Sequence, residues 1–285
     1  MLLSPSCDKF EGEQTIPSYI RIDSFRVVDN PLIEMGQLNS NISDVWVYVD
    51  DQIIGTFELP AERIPVLVSG THKLTVLPGI KYNGVSATRG PYPFYQSEIN
   101  EAFEFFPDST VSHIPVTSYY TNSFLAWLED FEDGSISLEP TPNSDTSLSF
   151  YPHAPQHPTL GFQSGIGYVE TTFPILEVST ITSEFPGLVL PTAEQPVFME
   201  IDYNINIDIT VGLYIRSVGV EIRQKSIAGF RPTGGAWKKA YVNLSPIVSD
   251  YPSADYFHVF IRADYNSGVE SPQILLDNLK VVHKK

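Results

Sequence analysis

The chain has 285 residues, which is enough for about two domains of ordinary size. Its 34 acidic residues against 17 Lys and Arg residues give a formal net charge of −17, which disfavours nucleic acid and anionic lipid head groups as partners. The 23 Pro, 15 Tyr and 17 Phe residues favour strands and turns over helices. The single cysteine excludes a disulfide framework within the chain, and no apolar run has transmembrane length.

The first residues surround that cysteine. An apolar and small-residue stretch ends at Cys7, and polar, mostly acidic residues follow at 8–14. The pattern resembles a bacterial lipobox with the export signal of Bacteroidota surface lipoproteins, although the basic region and most of the apolar region of a secretory signal are missing. The resemblance implies lipidation at Cys7, a signal remnant and tether at 1–17, and an outer-membrane, surface-exposed location. The alternative is a free thiol in a terminal segment.

Residues 18–106 read as short alternating strands separated by turn residues, which is typical of a β-sandwich. The clearest pair is a strand at 45–49, a turn at 50–52 and a returning strand at 53–59, which predicts a β-hairpin. Together with Gly70 and a strand at 71–77, this order resembles the PEGA-type module, a small immunoglobulin-like β-sandwich. That resemblance implies a spacer or adhesion role without chemistry.

Residues 107–122 have the Pro, Ser and Thr content of a linker, although three β-branched residues in it could form a strand. Long alternating strands then follow at 197–201, 207–216, 237–244 and 256–263. A Phe-Glu-Asp-Gly start at 131–134 and the closing run Leu-Leu-Asp-Asn-Leu-Lys-Val-Val at 275–282 resemble the galactose-binding-like jelly roll of many carbohydrate-binding modules. We therefore expect an all-β chain, with an Ig-like β-sandwich at 18–106 and a β jelly roll at 123–285.

Two carboxylates form a candidate catalytic pair. Glu200 and Asp202 alternate on one predicted strand, so they share a face about 7 Å apart. They resemble half of the catalytic strand of a retaining glycosidase family, but that family has a further Glu where this chain has Asn204. Retaining chemistry also needs carboxyl groups about 5–5.5 Å apart. The alternative is a solvated or hydrogen-bonded strand face.

Two histidines have the spacing of zinc ligands on a helix. His153 and His157 lie four positions apart, but Pro152, Pro155 and Pro158 exclude a helix there. We expect a proline-rich loop.

Carboxylates near both ends of the predicted jelly roll are candidate calcium ligands. In the resembling jelly rolls the first and last strands lie side by side and often hold a structural calcium ion, which prefers oxygen ligands. The resemblance implies Glu132, Asp133 and Asp277 as ligands. The alternative is that Asp277 only caps or bridges strand ends.

Aromatic residues of the second half are candidates for a glycan site, because exposed rings stack on the apolar faces of sugars. The candidates are Trp237, Tyr241, Tyr214, Tyr256 and Tyr265. Trp237 and Tyr241 share the register of one strand, so packing in the core is the alternative for both.

These observations predict a non-catalytic cell-surface lipoprotein whose jelly roll binds a glycan or an envelope protein. Two alternatives stay open, namely a structural subunit of an outer-membrane or secretion assembly, and a glycoside hydrolase that uses Glu200 and Asp202. We expect no nucleic-acid partner, membrane attachment only through a lipid anchor, and no cofactor other than a structural calcium ion.

Overall fold

A computed structural model describes residues 16–180, 186–192, 195–219 and 222–285. Cys7, the predicted lipidation site, lies outside these residues. Within them the chain forms β-strands and one short helix, which confirms the all-β prediction. No helix in the described ranges is long and apolar enough to cross a membrane.

The first half of the chain folds into a two-layer sandwich. One sheet has the strand order β5-β1-β9, and the other has the order β4-β3-β6-β7 with β8 beside β6, while β2 pairs with β10. The strands are β1 (Ser18–Ile22), β2 (Arg26–Val27), β3 (Asp44–Val49), β4 (Gln52–Glu58), β5 (Ala61–Val66), β6 (Gly70–Lys81), β7 (Arg89–Pro91), β8 (Glu98–Phe105), β9 (Thr110–His113) and β10 (Val116–Thr117).

The core of this sandwich follows from strand alternation. Val45 and Val47 of β3 are buried, whereas Trp46 between them is half-buried on the other face. The predicted hairpin is confirmed, because β3 pairs with β4 in antiparallel register. Asp50 and Asp51 both have positive φ, 48° and 63°, which tight hairpin turns require and which Asp tolerates better than most residues.

The segment at 107–122 is more ordered than a linker. Its strand β9 runs parallel to β1, with Tyr19 opposite Thr110, and β10 runs parallel to β2. Val111 pairs with Ile20 and packs against the sandwich core, so burial of these apolar side chains holds the segment in place.

The second half forms a larger two-sheet sandwich. Its front sheet has the order β13-β14-β21-β16-β19, with β11 also paired to β21, and its back sheet has the order β12-β15-β20-β17-β18. The elements are β11 (Ser123–Glu129), β12 (Glu139–Pro140), β13 (Ser149–His157), β14 (Gly161–Tyr168), β15 (Ile175–Ser179), β16 (Val197–Ile205), β17 (Ile209–Arg216), β18 (Arg223–Phe230), β19 (Lys238–Asn243), α1 (Ser245–Asp250), β20 (Tyr256–Asp264) and β21 (Gln273–Lys284).

The front sheet is buried on both faces over part of its length. Met199 and Ile201 of β16 point into the core between the two sheets. On the opposite, outer face, Phe198, Tyr241 and Val282 join a separate apolar cluster with residues of the first half, among them Tyr92. The two halves therefore share a core, and the first half covers one end of the outer face.

Candidate functional site

A row of polar side chains crosses the outer face beside this apolar cluster. Asp202 on β16 stands opposite Lys239 on β19 and opposite Asp277 on β21. Ser164 on β14 continues the row by donating a hydrogen bond of 2.5 Å from Oγ to Asp277 Oδ2. All four residues are buried, with at most 8% exposure. The row is a buried polar floor, and we refer to Ser164, Asp277, Asp202 and Lys239 together as the floor.

His153 extends the floor toward the surface. Its Nε2 lies 2.7 Å from Ser164 Oγ, so imidazole, hydroxyl and carboxyl group form one hydrogen-bonded chain. Burial raises the pKa of Asp277 to about 8, although hydrogen bonds from Ser164 and from the Asn278 backbone act to lower it. Burial, together with His157 nearby, lowers the pKa of His153. The two shifts favour a neutral imidazole at one end of this hydrogen-bonded series and a protonated carboxyl group at the other.

The hydrogen-bonded series of His153, Ser164 and Asp277 differs from a nucleophilic triad in the order of its three groups. In a Ser-His-Asp triad the imidazole lies between the carboxylate and the hydroxyl group and withdraws the proton from serine. Here the hydroxyl group of Ser164 lies between His153 and Asp277, and Ser164 is 0% exposed. The arrangement holds the floor in place and offers no accessible nucleophile at Ser164.

Rings from opposite edges of the front sheet stand above the floor. The His153 ring on β13 lies 5.7 Å from Tyr151, 5.7 Å from His157 and 6.5 Å from Trp237, which immediately precedes β19. Tyr151 is 41% exposed, and His153, His157 and Trp237 are partly exposed. These four rings, which we call the rim, combine an accessible aromatic surface with polar groups directly beneath it.

A pocket of about 290 Å³ opens beside Trp237. Asp202 and Lys239 of the floor lie at its base. Asp202 Oδ1 is buried and accepts no hydrogen bond within the described part of the chain, and Lys239 Nζ is 3.6 Å from it. The pocket is lined by Asn39, Ser40, Asn41, Thr159, Leu160, Asp202, Trp237, Lys238 and Lys239.

Glu200 lies next to the floor but beneath the first half of the chain. Its Oε1 accepts hydrogen bonds from the hydroxyl groups of Tyr92 (2.7 Å) and Tyr119 (2.6 Å), and its Oε2 is 2.9 Å from Lys239 Nζ. Burial acts to raise the pKa of Glu200, but Lys239, Lys280 and the two hydroxyl groups lower it to about 2. Glu200 is therefore a buried anion.

The suggested glycosidase pair does not have the access that its chemistry needs. Glu200 is 0% exposed and Asp202 is 2% exposed, and Glu200 is enclosed by tyrosines of the first half. A glycosidic bond cannot reach the Glu200 carboxylate in this arrangement. The structure therefore favours the alternative of a hydrogen-bonded strand face, in which Glu200 neutralises two buried lysines.

The five aromatic candidates lie in different environments. Trp237 belongs to the rim, but Tyr241 is buried beneath the first half, where its hydroxyl oxygen accepts a hydrogen bond from the Asn41 backbone (3.1 Å). Tyr214 lies on the back sheet and donates to Glu177 (2.5 Å). Tyr256 and Tyr265 are half-buried at and after β20, which also belongs to the back sheet. The structure thus places Trp237 alone of the five on the outer face and accessible there.

The three predicted calcium ligands do not converge. Glu132 Oε1 accepts backbone hydrogen bonds from Phe162 (2.8 Å) and Gln163 (3.0 Å), and Asp133 accepts one from the Ser135 backbone (2.9 Å). Asp277 faces Ser164 in the floor. In the described ranges no group of three or more His, Cys, Asp or Glu side chains is arranged to hold a metal ion. Glu132, Asp133 and Asp277 therefore do not fit one shared calcium ion.

Comparisons with known proteins give low similarity. No protein-family model and no curated protein matches the chain. Among solved structures, the CBM22-2 xylan-binding domain from Paenibacillus barcinonensis Xyn10C matches at a TM-score of 0.37 and 14% identity, covering 56% of this chain and 99% of that domain. The K3 cleaved adhesin domain of Lys-gingipain from Porphyromonas gingivalis matches at 0.37 and 16% identity, covering 56% and 98%. TmCBM61, solved with β-1,4-galactotriose, matches at 0.32 and 10% identity, covering 53% and 92%.

Proposed function

We propose that this protein binds a glycan on the outer face of its front sheet and catalyses no reaction there. The observation that carries the proposal is the rim of Tyr151, His153, His157 and Trp237 above a buried polar floor. Sugar rings present apolar C–H faces and polar hydroxyl edges, and glycan sites pair aromatic side chains with a few fixed polar groups.

Each part of the site has a separate task in this proposal. Trp237 and Tyr151 offer ring faces on which a sugar stacks. Asp202 Oδ1 and the Lys239 ammonium group, 3.6 Å apart and both buried, place a fixed ion pair beneath the sugar. The hydrogen bonds that join His153, Ser164 and Asp277 already hold the floor side chains in place. Ligand binding therefore costs little further side-chain entropy there.

A glycan panel followed by calorimetry tests the proposal. We expect the full chain to bind at least one glycan, and Trp237→Ala to weaken that binding by about tenfold or more, because an aromatic anchor is removed. Phe106→Ala is the matched control, since Phe106 is 53% exposed and lies in the first half at the end of β8. Unchanged affinity in Trp237→Ala would contradict the proposed site. A silent panel, with co-purification of envelope proteins, would favour the structural-subunit alternative.

We propose that the protein is not catalytic at this face because the side chains that could act as nucleophiles are inaccessible to a substrate. The Glu200 carboxylate is covered, and Ser164 is buried within the floor. Hydrolysis of a polysaccharide panel by the wild type, lost in Glu200→Gln under conditions where that variant is folded, would overturn it.

We further propose that Cys7 carries a lipid anchor that holds the protein at the outer surface of the cell. In this arrangement the sandwich of the first half, with its PEGA-type and immunoglobulin-like resemblance, supports the binding face. Radiolabelled palmitate should enter the full-length protein and not Cys7→Ser. Equal labelling of both proteins, or labelling of neither, would contradict the anchor.

A further inference from the structure

The loop between β2 and β3, in the first half of the chain, lies against the binding face of the second half. Lys280 on β21 is fully buried and donates from Nζ to the carbonyl oxygens of Met35 (2.7 Å) and Gln37 (3.1 Å). Both carbonyls would lose a charged donor if the loop moved away, and the buried ammonium group would keep only Glu200, 3.9 Å away. The loop is therefore fixed on the sheet by a buried cation.

Two asparagines of the same loop attach it to the floor. The Asn39 side chain donates to Asp202 Oδ2 and accepts from Lys239 Nζ (3.0 Å). Asn41 donates from Nδ2 to the Lys239 carbonyl oxygen (2.9 Å) and from its backbone N–H to the Tyr241 hydroxyl oxygen. The wall formed by residues 39–41 is thus positioned by the same side chains that form the floor.

Ser40 lies between these two asparagines and lines the pocket. It is exposed, and its hydroxyl group makes no hydrogen bond to any described residue. Leu160, at the turn between β13 and β14, lines the pocket as well, and Trp237, just before β19, lines it from another side. The pocket is therefore walled by the loop at 39–41, by the β13–β14 turn and by Trp237.

The size of this pocket limits what enters it. Its volume of about 290 Å³ lies at the lower end for ligand sites. The first half covers the face on the Glu200 side, and contact between His153 and Trp237 spans the floor on the other. The pocket is open to solvent but bounded on these sides, which favours a glycan end or a short oligosaccharide over the interior of a long chain.

Building on the proposed function, we infer that the loop at 39–41 is a specificity-determining wall, and that the site takes a glycan end or a short oligosaccharide rather than the interior of a long chain. Asn39 and Asn41 position the wall, and Ser40 offers its exposed hydroxyl group to the sugar. The second half alone would lack this wall, so recognition belongs to both halves together.

Calorimetry with the full chain tests this inference. The probes are β-1,4-linked xylose, galactose and glucose series from mono- to hexasaccharide, together with the corresponding polymers. Affinity per chain end should level off at the di- or trisaccharide, and the polymers should bind no better per chain end. Affinity that keeps rising up to the polymer would overturn the inference.

A substitution in the wall at residues 39–41 provides a second test of the inference. Ser40→Trp should fill the pocket and weaken binding by about tenfold or more, with an unchanged melting temperature because Ser40 is exposed. Ser112→Trp is the matched control, because Ser112 is also exposed but lies on β9, and it should bind as the wild type does. Wild-type affinity in Ser40→Trp, while Trp237→Ala loses binding, would reject the wall and keep the proposed function. Wild-type affinity in Trp237→Ala, or no binding of any probe, would reject both.

Discussion

The rings of His153 and Trp237 lie 6.5 Å apart, although β13 and β19 are at opposite edges of the front sheet. The two side chains reach toward each other over the strands between them. Beneath them Ser164 and Asp277 are both 0% exposed, even though they stand on a face that points away from the sandwich core. The contact between the two edges thus contributes to the burial that raises the pKa of Asp277 to about 8.

The protonated state of Asp277 gives a pH dependence of stability. An ordinary Asp titrates at 3.8 and the folded Asp277 at about 8, so between these pH values the folded state holds one more proton than the unfolded state. The free energy of unfolding should therefore fall as pH rises through this window and level off above it. Asp277→Asn, which resembles the protonated acid, should remove this slope, a difference on the order of a few kcal/mol across the window.

Urea unfolding at a series of pH values measures this slope. Asp208→Asn is the control, because Asp208 is exposed on the same half of the chain. An Asp277→Asn variant whose stability follows the wild-type pH profile would show that Asp277 is ionised in the folded protein.

Removing the Glu200 carboxylate should destabilise the whole protein. Lys239 would then keep only the more distant Asp202 carboxylate, 3.6 Å away, and Lys280 would lose its ion pair with Glu200. Breaking a buried ion pair in this way costs about 3–5 kcal/mol. We expect Glu200→Gln to lower the free energy of unfolding by that amount, measured by urea denaturation. Glu139→Gln, at an exposed position, should change it by less than about 0.5 kcal/mol. Equal stabilities of the two variants would contradict the assignment of Glu200 as a structural anion.

Two glycines on neighbouring strands of the back sheet should respond differently to alanine. A Cβ at Gly212 would lie 2.1 Å from the Lys225 carbonyl oxygen, whereas at Gly229 the nearest atom is 3.8 Å away. Gly212→Ala should therefore cost about 1–3 kcal/mol or more, because backbone must move, and Gly229→Ala should be close to neutral. Thermal denaturation compares them, and a smaller loss for Gly212→Ala than for Gly229→Ala would contradict the strand packing.

The two halves should unfold together. Phe198, Tyr241 and Val282 of the second half pack with Tyr92 of the first, and Glu200 accepts hydrogen bonds from Tyr92 and Tyr119. Separation would expose this apolar cluster and leave Glu200 with fewer partners. Scanning calorimetry of the full chain should show one cooperative transition. Two well-separated transitions would indicate that the halves are independent.

Strand patterns in the sequence predicted much of the fold and only part of the site. Alternation at 45–59 identified the hairpin, and alternation around Glu200 placed Glu200 and Asp202 on one face. Alternation cannot tell what covers a face. Tyr241 shares the face of Trp237 but lies beneath the first half, and that burial depends on the packing of distant segments.

The sequence analysis did not predict strand β13, which contributes Tyr151, His153 and His157 to the rim. The prolines beside His153 suggested a loop, but β13 is an edge strand, where a missing N–H is tolerated, and its pairing with β14 is irregular between Pro152 and His157. Tyr151 and His153 are two positions apart, and this spacing could have indicated that both side chains lie on one face of a strand. The Ser164–Asp277 hydrogen bond joins residues 113 positions apart, and local sequence carries no sign of it.

The indole N–H resonances of the three tryptophans report on glycan binding at each half of the protein. Trp127 is buried and donates to Ser137 Oγ (3.0 Å), Trp46 lies in the first half, and Trp237 belongs to the rim. A glycan that binds in calorimetry should shift the Trp237 resonance, identified by its loss in Trp237→Phe, and leave the Trp46 and Trp127 resonances in place. A Trp237 resonance that does not move at saturating glycan would contradict a binding site on this face.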